Sequence, residues 1–367
     1  METLPPRPQP SVEVKKSHRS LWLELFKIVL FLFVCFIHCV YRADLLQLAR
    51  IAVPSFFMIS GCFCYSPIRE GEEKEAYYER KLDGAKKKII STLKYTLFGL
   101  FFYFAFDLFY GLSKGQDITQ IFAGFYTDHT FANIFVYNYV TSSGGHLWFL
   151  LALLAVSLVH YLIVRFKVEK AYFLLPLLIL VLYFFAGLSY FYNGKFVDLS
   201  KIRNALFFGL PCFATGYDVH YIVHRLPRKS LLAKIAFPTS FLLLGGLFFY
   251  LQLKEWLWIG ANAEMYGSSF LSSIFLLAFF LTCPSPNPRI YELIFGKGFS
   301  FFAYVYHNAV LKVLCDYDLS SEKRVYLAFA FSLFFALVTH WVILSIKWLY
   351  RLVRKKKGNK PLDLSLS

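Results

Sequence analysis

The chain has 367 residues, of which 57% are hydrophobic and 20% aromatic, while only 17% are charged. An ordinary soluble domain carries about 25% charged residues, and 43 Phe together with 25 Tyr are too many to bury in one water-soluble core of this size. The composition therefore excludes a soluble enzyme. The net charge of +16 is better explained by basic loops beside anionic lipid headgroups than by nucleic-acid binding, because no basic and aromatic soluble module accompanies it.

Apolar runs of about 18 to 25 residues recur along the chain, which is the length of a membrane-spanning helix. They lack the alternation of barrel strands, so we expect an all-α polytopic membrane bundle. Residues 1–19 form a Pro-rich, basic tail, residues 20–350 the membrane domain, and residues 351–367 a second basic tail. The spans are predicted at about 20–40, 47–65, 89–111, 146–164, 171–192, 203–222, 232–252, 267–283, 299–315 and 325–350.

The distribution of basic residues predicts the orientation of these ten spans. Connections after even-numbered spans are rich in Lys and Arg, as in Lys86–Lys88, whereas those after odd-numbered spans hold more acid, as in Asp117 and Asp128. By the positive-inside rule both termini are then cytoplasmic, in a multi-pass protein of the plasma membrane that contacts lipid throughout. The seven cysteines lie in or beside apolar runs, so we interpret them as packing residues and predict no metal site.

The first span contains an acid, a base and an imidazole on one helix face. Lys27 and His38 are eleven residues apart, which is three turns plus about 20° and about 16 Å along the axis. Glu24 precedes Lys27 by three residues and can pair with it. This stripe predicts a functional path with His38 in a sealed interior crevice. Glu24 and Lys27 could instead extend to the cytoplasmic headgroups, and His38 could be a packing residue.

Two other spans also carry polar residues. Arg50, at the start of the second span, could anchor to headgroups or face a cavity beside His38, because the connection 41–46 is short. Pro54 interrupts the hydrogen-bond ladder of that span, and Ser60-Gly61 is typical of close helix packing. In the ninth span, spacings of four and three put three hydrogen-bonding groups on one face, which predicts a polar network, catalytic or structural: Ser300, Tyr304 and His307.

Five segments along the chain resemble the integral-membrane acyltransferases of acyltransferase family three. Two positions depart from the usual pattern of that family. Lys27 stands where the family usually has arginine, and the basic segment that enters span 3 reads Ala85-Lys86-Lys87-Lys88 where the family usually has paired arginines. The segments are Glu24…Lys27…His38, Arg50 through Ser60-Gly61 to Tyr65, His146-Leu147-Trp148-Phe149-Leu150, Phe208-Gly209-Leu210-Pro211 with Gly216-Tyr217, and Ser300…Tyr304…His307.

The resemblance implies transfer of an acyl group, acetyl above all, from a cytoplasmic acyl-CoA to a hydroxyl of a cell-surface or lipid-linked glycan. Acyl-CoA is then a co-substrate, with no bound cofactor. His38 is expected to act as general base or to accept the acyl group first, and Lys27, held by Glu24, to offset negative charge. Expected binding residues are Lys86, Lys87 and Lys88 for the donor, where lipid headgroups explain them equally well, and Arg50, Ser60, Tyr304 and His307 for the acceptor.

Two other classes of protein fit the same pattern. A carrier of a small polar solute or lipid-linked sugar could use the charged stripe for binding without acyl chemistry. A glycan polymerase or flippase is also large, aromatic and basic, but such proteins usually carry acceptor-binding arginines in a long outer loop. The long connection 112–145 contains no arginine.

Overall fold

The computed structural model describes residues 20–39, 42–127, 142–193, 203–227, 230–260, 265–283 and 298–356. In these ranges all regular structure is helical, with 3₁₀ turns at Ser142–Leu147 and Glu169–Phe173 and a π-helical turn at Ala205–Gly209. The helices are α1 Leu21–Cys39, α2 Ala43–Ala49, α3 Ala52–Cys62, α4 Lys74–Ser113, α5 Ile118–Thr127, α6 Trp148–Arg165, α7 Leu175–Asn193, α8 Leu210–Arg225, α9 Leu231–Ile259, α10 Gly267–Thr282, α11 Phe299–Leu314 and α12 Ser321–Lys356.

Each of the ten predicted spans falls on a helical segment, which confirms the all-α class. Within the described residues, six helical segments are long and apolar enough to cross a membrane, and α10 is apolar but shorter. The number of ten spans and the side on which the termini lie stay predictions. The tail 1–19, residues 128–141 of the loop 112–145 and residues 357–367 lie outside the described residues. The six segments are Leu21–Cys39, Ala43–Cys62, Lys74–Ser113, Gly145–Arg165, Leu231–Ile259 and Ser321–Val353.

The second span differs from the expected single helix. The chain turns at Arg50 and Ile51, between α2 and α3, so that Pro54 lies in the first turn of α3, where its missing N–H is tolerated. The connection predicted at 41–46 is itself mostly helical, because α2 begins at Ala43. Hydrogen bonds hold α2 in place: the Tyr266 hydroxyl donates to Gln47 Oε1, and the Gln252 amide donates to the Gln47 carbonyl.

Helix α4 is much longer than the span predicted at 89–111. It has 40 residues, equivalent to about 60 Å at 1.5 Å per residue. Its first three turns carry Lys and Glu and therefore have low hydropathy, which is why the apolar pattern missed them. The basic segment Lys86–Lys88 consequently lies within a helix and not in a connecting loop.

Two glycines allow α3 and α8 to pack backbone against backbone. A Cβ atom on Gly61 would lie 1.9 Å from the carbonyl oxygen of Phe213, and one on Gly216 would lie 1.8 Å from that of Met58. Neither distance is possible for a real side chain, so these positions require glycine. This crossing forms the largest buried cluster, which also includes Phe57.

Helix α1 lies at the centre of the site because it contacts α3, α10, α11 and α12. Helix α6 packs along α4, and α11 packs along α12. Elements from the first and last thirds of the sequence therefore meet around α1. Its side chains Leu30 and Cys35 are fully buried.

We expect Gly216→Ala to lower the free energy of unfolding by at least about 1–3 kcal/mol, because the new methyl group overlaps the α3 backbone. The matched control is Gly246→Ala in α9, where a Cβ has no atom within 4 Å. This change should be neutral or stabilising by up to about 1 kcal/mol, since alanine favours a helix. Thermal unfolding of the purified protein in detergent checks both. Equal melting temperatures for the two variants would contradict the packing.

Candidate functional site

The residues at the two ends of the polar stripe on α1 line two different cavities. His38 lines one, which we name the histidine cavity, together with Arg50, His146, Arg203, Tyr304 and Asn308. The other, the lysine cavity, is lined by Glu24, Lys27, Ser60, Lys88, Thr92 and Ser300. Each has a volume of about 290 Å³. The stripe therefore connects two chambers of one bundle.

Three histidine rings from distant parts of the sequence meet at the histidine cavity. The ring centroid of His38 lies 5.0 Å from that of His307 and 6.1 Å from that of His146, and the last two are 4.8 Å apart. Within the described ranges, no group of three or more His, Cys, Asp or Glu is arranged to hold a metal ion. The arrangement is suited to handling protons.

His38 is exposed, whereas His146 and His307 are buried. The expected sealed crevice is therefore wrong: His38 faces its two neighbours in the bundle but sits where the cavity opens. The reason is its position in the last turn of α1, one residue before the helix ends at Cys39.

Hydrogen bonds connect His307 to Tyr304 and Tyr304 to His146. The Nδ1 atom of His307 donates to the backbone carbonyl of Tyr304, and the Tyr304 hydroxyl donates to the carbonyl of His146. The first bond assigns the proton to Nδ1 and leaves Nε2 of His307 as an acceptor. That Nε2 is buried and has no hydrogen-bond partner among the described residues. It is a hydrogen-bond acceptor on a ring that lies beside His38.

Two arginines give the histidine cavity a positive charge. Arg50 comes from the turn between α2 and α3, and Arg203 precedes the π-helical turn, with its Cζ 4.9 Å from the ring centroid of Trp148. No Asp or Glu is among the described residues that line this cavity. Sequence reasoning missed Arg203 because it lies at the edge of a short connection of mixed charge. Its position just before Asn204, which caps the π-helical turn, is the available signal.

An ion pair lies in the lysine cavity. The Lys27 Nζ atom is 2.7 Å from Glu24 Oε2, which confirms the pairing that the spacing predicted. Both side chains are largely removed from solvent, with 15% and 5% exposure. Neither is therefore extended into water, as a headgroup anchor would be.

An aromatic wall separates the two cavities. Phe56 of α3, Phe149 of α6 and Tyr304 of α11 line both of them. The Phe149 ring centroid lies 6.1 Å from that of Phe56 and 5.7 Å from that of Tyr304. A molecule that extends from Lys27 towards His38 has to pass these rings.

The residues predicted for the donor and acceptor are distributed as follows. Of the lysine run, Lys88 lines the lysine cavity, whereas Lys86 and Lys87 are exposed on another face of α4. Ser60 lines the lysine cavity, not the histidine cavity. The face predicted for span 9 runs from one chamber to the other, since Ser300 is at the lysine cavity, Tyr304 in the wall and His307 beside His38.

We expect Lys27→Met to reduce the free energy of unfolding by about 3–5 kcal/mol, because it leaves the carboxylate of Glu24 buried without its counter-charge. The double variant Glu24→Gln/Lys27→Met should recover most of that loss. Melting temperatures of the single and double variants in detergent measure the difference. As a control, Asp44→Asn breaks the exposed pair with Arg42 and should change stability by less than about 1 kcal/mol. No recovery in the double variant would show that the pair is not coupled.

Comparison with known proteins supports an enzyme of one family. The family model described as acyltransferase domain, that of acyltransferase family three, matches residues 20–348, which is nearly the whole chain. No curated protein and no solved structure matches the chain. The matched range contains both cavities and every residue discussed above. The chain therefore belongs to acyltransferase family three and is an acyltransferase that transfers groups other than aminoacyl groups.

Proposed function

We propose that the protein transfers an acetyl group from cytoplasmic acetyl-CoA to a hydroxyl of a cell-surface or lipid-linked glycan. The observation that carries the proposal is the meeting of the histidine and lysine cavities at one aromatic wall. Donor and acceptor can then approach from opposite ends of the bundle, and the aromatic rings lie between the lysine cavity and the exposed side of His38. This separation matters because water would hydrolyse the thioester.

In the proposed step, an unprotonated nitrogen of His38 takes the proton of the acceptor hydroxyl. The hydroxyl oxygen attacks the thioester carbonyl carbon, the carbon–sulfur bond breaks, and the proton passes to the departing thiolate to give free CoA. His307 supports this role because its Nε2 acceptor lies on the ring nearest to His38. In the alternative order, His38 first accepts the acetyl group from the thioester, and the acceptor hydroxyl then takes it from His38.

The lysine cavity is proposed to receive the donor. The Lys27 ammonium, oriented by Glu24, and the Lys88 ammonium offset negative charge that the donor carries. Lys86 and Lys87 are exposed and are proposed to meet the anionic nucleotide or the lipid headgroups. The donor is a co-substrate, and the proposal includes no resident cofactor.

The histidine cavity is proposed to receive the acceptor. Arg50, Tyr304 and Asn308 provide donors and acceptors for sugar hydroxyls, and Arg203 with Trp148 forms a second side of the cavity. Ser60 is assigned to the donor side because it lines the lysine cavity. This arrangement fits ten spans in the plasma membrane with both termini and the basic tails cytoplasmic, so that Lys27 is near the cytoplasm and His38 near the opposite surface.

We expect His38→Gln to reduce acetyl transfer at least about 100-fold, the usual contribution of a general base. The assay adds [¹⁴C]acetyl-CoA to inverted membrane vesicles from cells that express the full chain. Alkali-labile label in the carbohydrate fraction is counted, and protein abundance is measured by immunoblot. The control is His340→Gln, a histidine of α12 that lines neither cavity, which should retain activity.

Two outcomes would contradict the proposal. Full labelling by His38→Gln would remove His38 from the reaction. No labelled carbohydrate with the native protein would remove acetyl-CoA or glycan as substrate, and a carrier would consume no acetyl-CoA at all. A rapid quench with tryptic mapping distinguishes the two orders of reaction, because a label on His38 identifies it as acyl carrier.

A further inference from the structure

A third and larger pocket lies outside both cavities. It has a volume of about 1080 Å³ and shares no lining residue with either of them. It opens among the segment after α3, the start of α4, the turn after α6 and the end of α8. We name it the tyrosine pocket after five of its lining residues: Tyr65, Tyr77, Tyr78, Tyr217 and Tyr221.

A buried lysine is fixed at one wall of the tyrosine pocket. The Lys81 Nζ atom lies 2.8 Å from Glu169 Oε1 and 2.9 Å from the Tyr217 hydroxyl. It also lies 5.2 Å from the ring centroid of Tyr77. A buried ammonium needs such partners because burial removes its hydration. Lys81 is therefore a positive charge with a fixed position.

Two further cations lie over tyrosine rings of the pocket. The Lys167 Nζ atom is 4.7 Å from the ring centroid of Tyr78, and the Arg225 Cζ atom is 4.1 Å from that of Tyr221. With Lys81 and Lys170 they make four cationic side chains in the lining, against the single carboxylate of Glu169. Among its described lining residues the pocket thus has an excess of positive charge beside several aromatic faces.

The backbone at Lys167 is held in an unfavourable conformation. Its φ is +57°, in the left-handed region where glycine is preferred. Two hydrogen bonds close the turn at the end of α6, from the Lys167 N–H to the Val164 carbonyl and from the Val168 N–H to the Ile163 carbonyl. Glycine usually occupies the position of Lys167 in such a helix end. Lysine at this position brings an ammonium to the pocket.

The wall formed by residues 65–68 is fixed by Arg80. Its guanidinium donates to both carboxylate oxygens of Glu72, each at 2.7 Å, and to the Pro67 carbonyl at 2.9 Å. These bonds hold the pKa of Glu72 well below its usual value, at about 2. Glu72 is therefore ionised at neutral pH, and its pair with Arg80 holds this wall of the pocket.

Aromatic faces next to cations are the chemistry that binds a nucleotide. A base stacks on tyrosine rings, and phosphates pair with lysine and arginine. A lipid headgroup phosphate could pair with the cations, but it has no planar ring to stack on the tyrosine side chains. The observations therefore favour a nucleotide.

Helix α4 connects this pocket to the lysine cavity. Lys81 and Lys88 are two turns apart on one face of α4, or about 10 Å along its axis, and Lys88 lines the lysine cavity. The pantetheine arm of coenzyme A is comparable to four or five extended residues, about 15 Å. It is long enough to cover that distance.

We propose that the tyrosine pocket binds the nucleotide end of the acyl-CoA donor, with the adenine on the tyrosine rings and the phosphates on Lys167 and Arg225. The pantetheine arm then runs along α4 to the lysine cavity. This inference rests on the proposed function, and it assigns the nucleotide to a site other than the lysine run 86–88.

The experiment compares Lys167→Gly and Arg225→Gln with the native full chain in detergent. Lys167→Gly removes the cation and relieves the left-handed backbone, so loss of folding is not expected. Each variant should bind adenosine 3′,5′-bisphosphate about tenfold more weakly by calorimetry and raise the KM for acetyl-CoA by a similar factor. The control is Lys254→Gln, which removes a lysine that lies over Tyr250 outside the pocket and should change neither value.

Acetyl-pantetheine, which lacks the nucleotide, separates the two proposals. The variants should turn it over with the native kcat/KM. If native protein uses acetyl-CoA but both variants keep its KM, the pocket does not bind the nucleotide and the inference is overturned. If native protein turns over neither thioester, the proposed function fails. In that case, adenosine bisphosphate binding that is lost in Lys167→Gly still supports the pocket, and absence of binding overturns it.

Discussion

The requirement that a charged side chain must not face lipid tails determines how this molecule is arranged. In an apolar helix, Glu24, Lys27 and His38 can only be accommodated if their shared face is turned into the bundle. Once α1 is oriented in this way, its neighbours have to supply polar groups opposite that face. Helix α11 does so with Ser300 and His307, which follow the same direction along the bundle.

The aromatic wall explains why one polar face gives two cavities and not one channel. Phe56, Phe149 and Tyr304 come from three helices, and Phe56 belongs to α3, which packs closely on α8 at Gly61 and Gly216. A continuous aqueous channel would let ions cross the membrane. Two chambers that meet at aromatic rings allow the proposed donor and acceptor to approach each other without such a channel.

The sequence predicted the parts of this arrangement that depend on helical phase. The eleven-residue spacing of Lys27 and His38 and the spacings in span 9 translate directly into shared faces, because every helix has the same period. The sequence did not predict the features that depend on tertiary contacts. Arg203 carries no periodic signal, and hydropathy cannot detect the polar start of α4. Helix α2, which precedes the turn at Arg50 and Ile51, is held through Gln47 by Gln252 and Tyr266.

Phase also explains why the lysine run 86–88 was an incomplete guide. Three consecutive helical residues point in directions 100° apart, so they cannot all face one pocket. Lys88 faces inward, and the residue that shares its face lies seven positions earlier, at Lys81. A row of charges along one helix face can bind an extended anionic molecule from end to end, whereas a cluster of adjacent charges surrounds the helix. One helix, α4, thus lines the tyrosine pocket at Lys81 and the lysine cavity two turns later at Lys88.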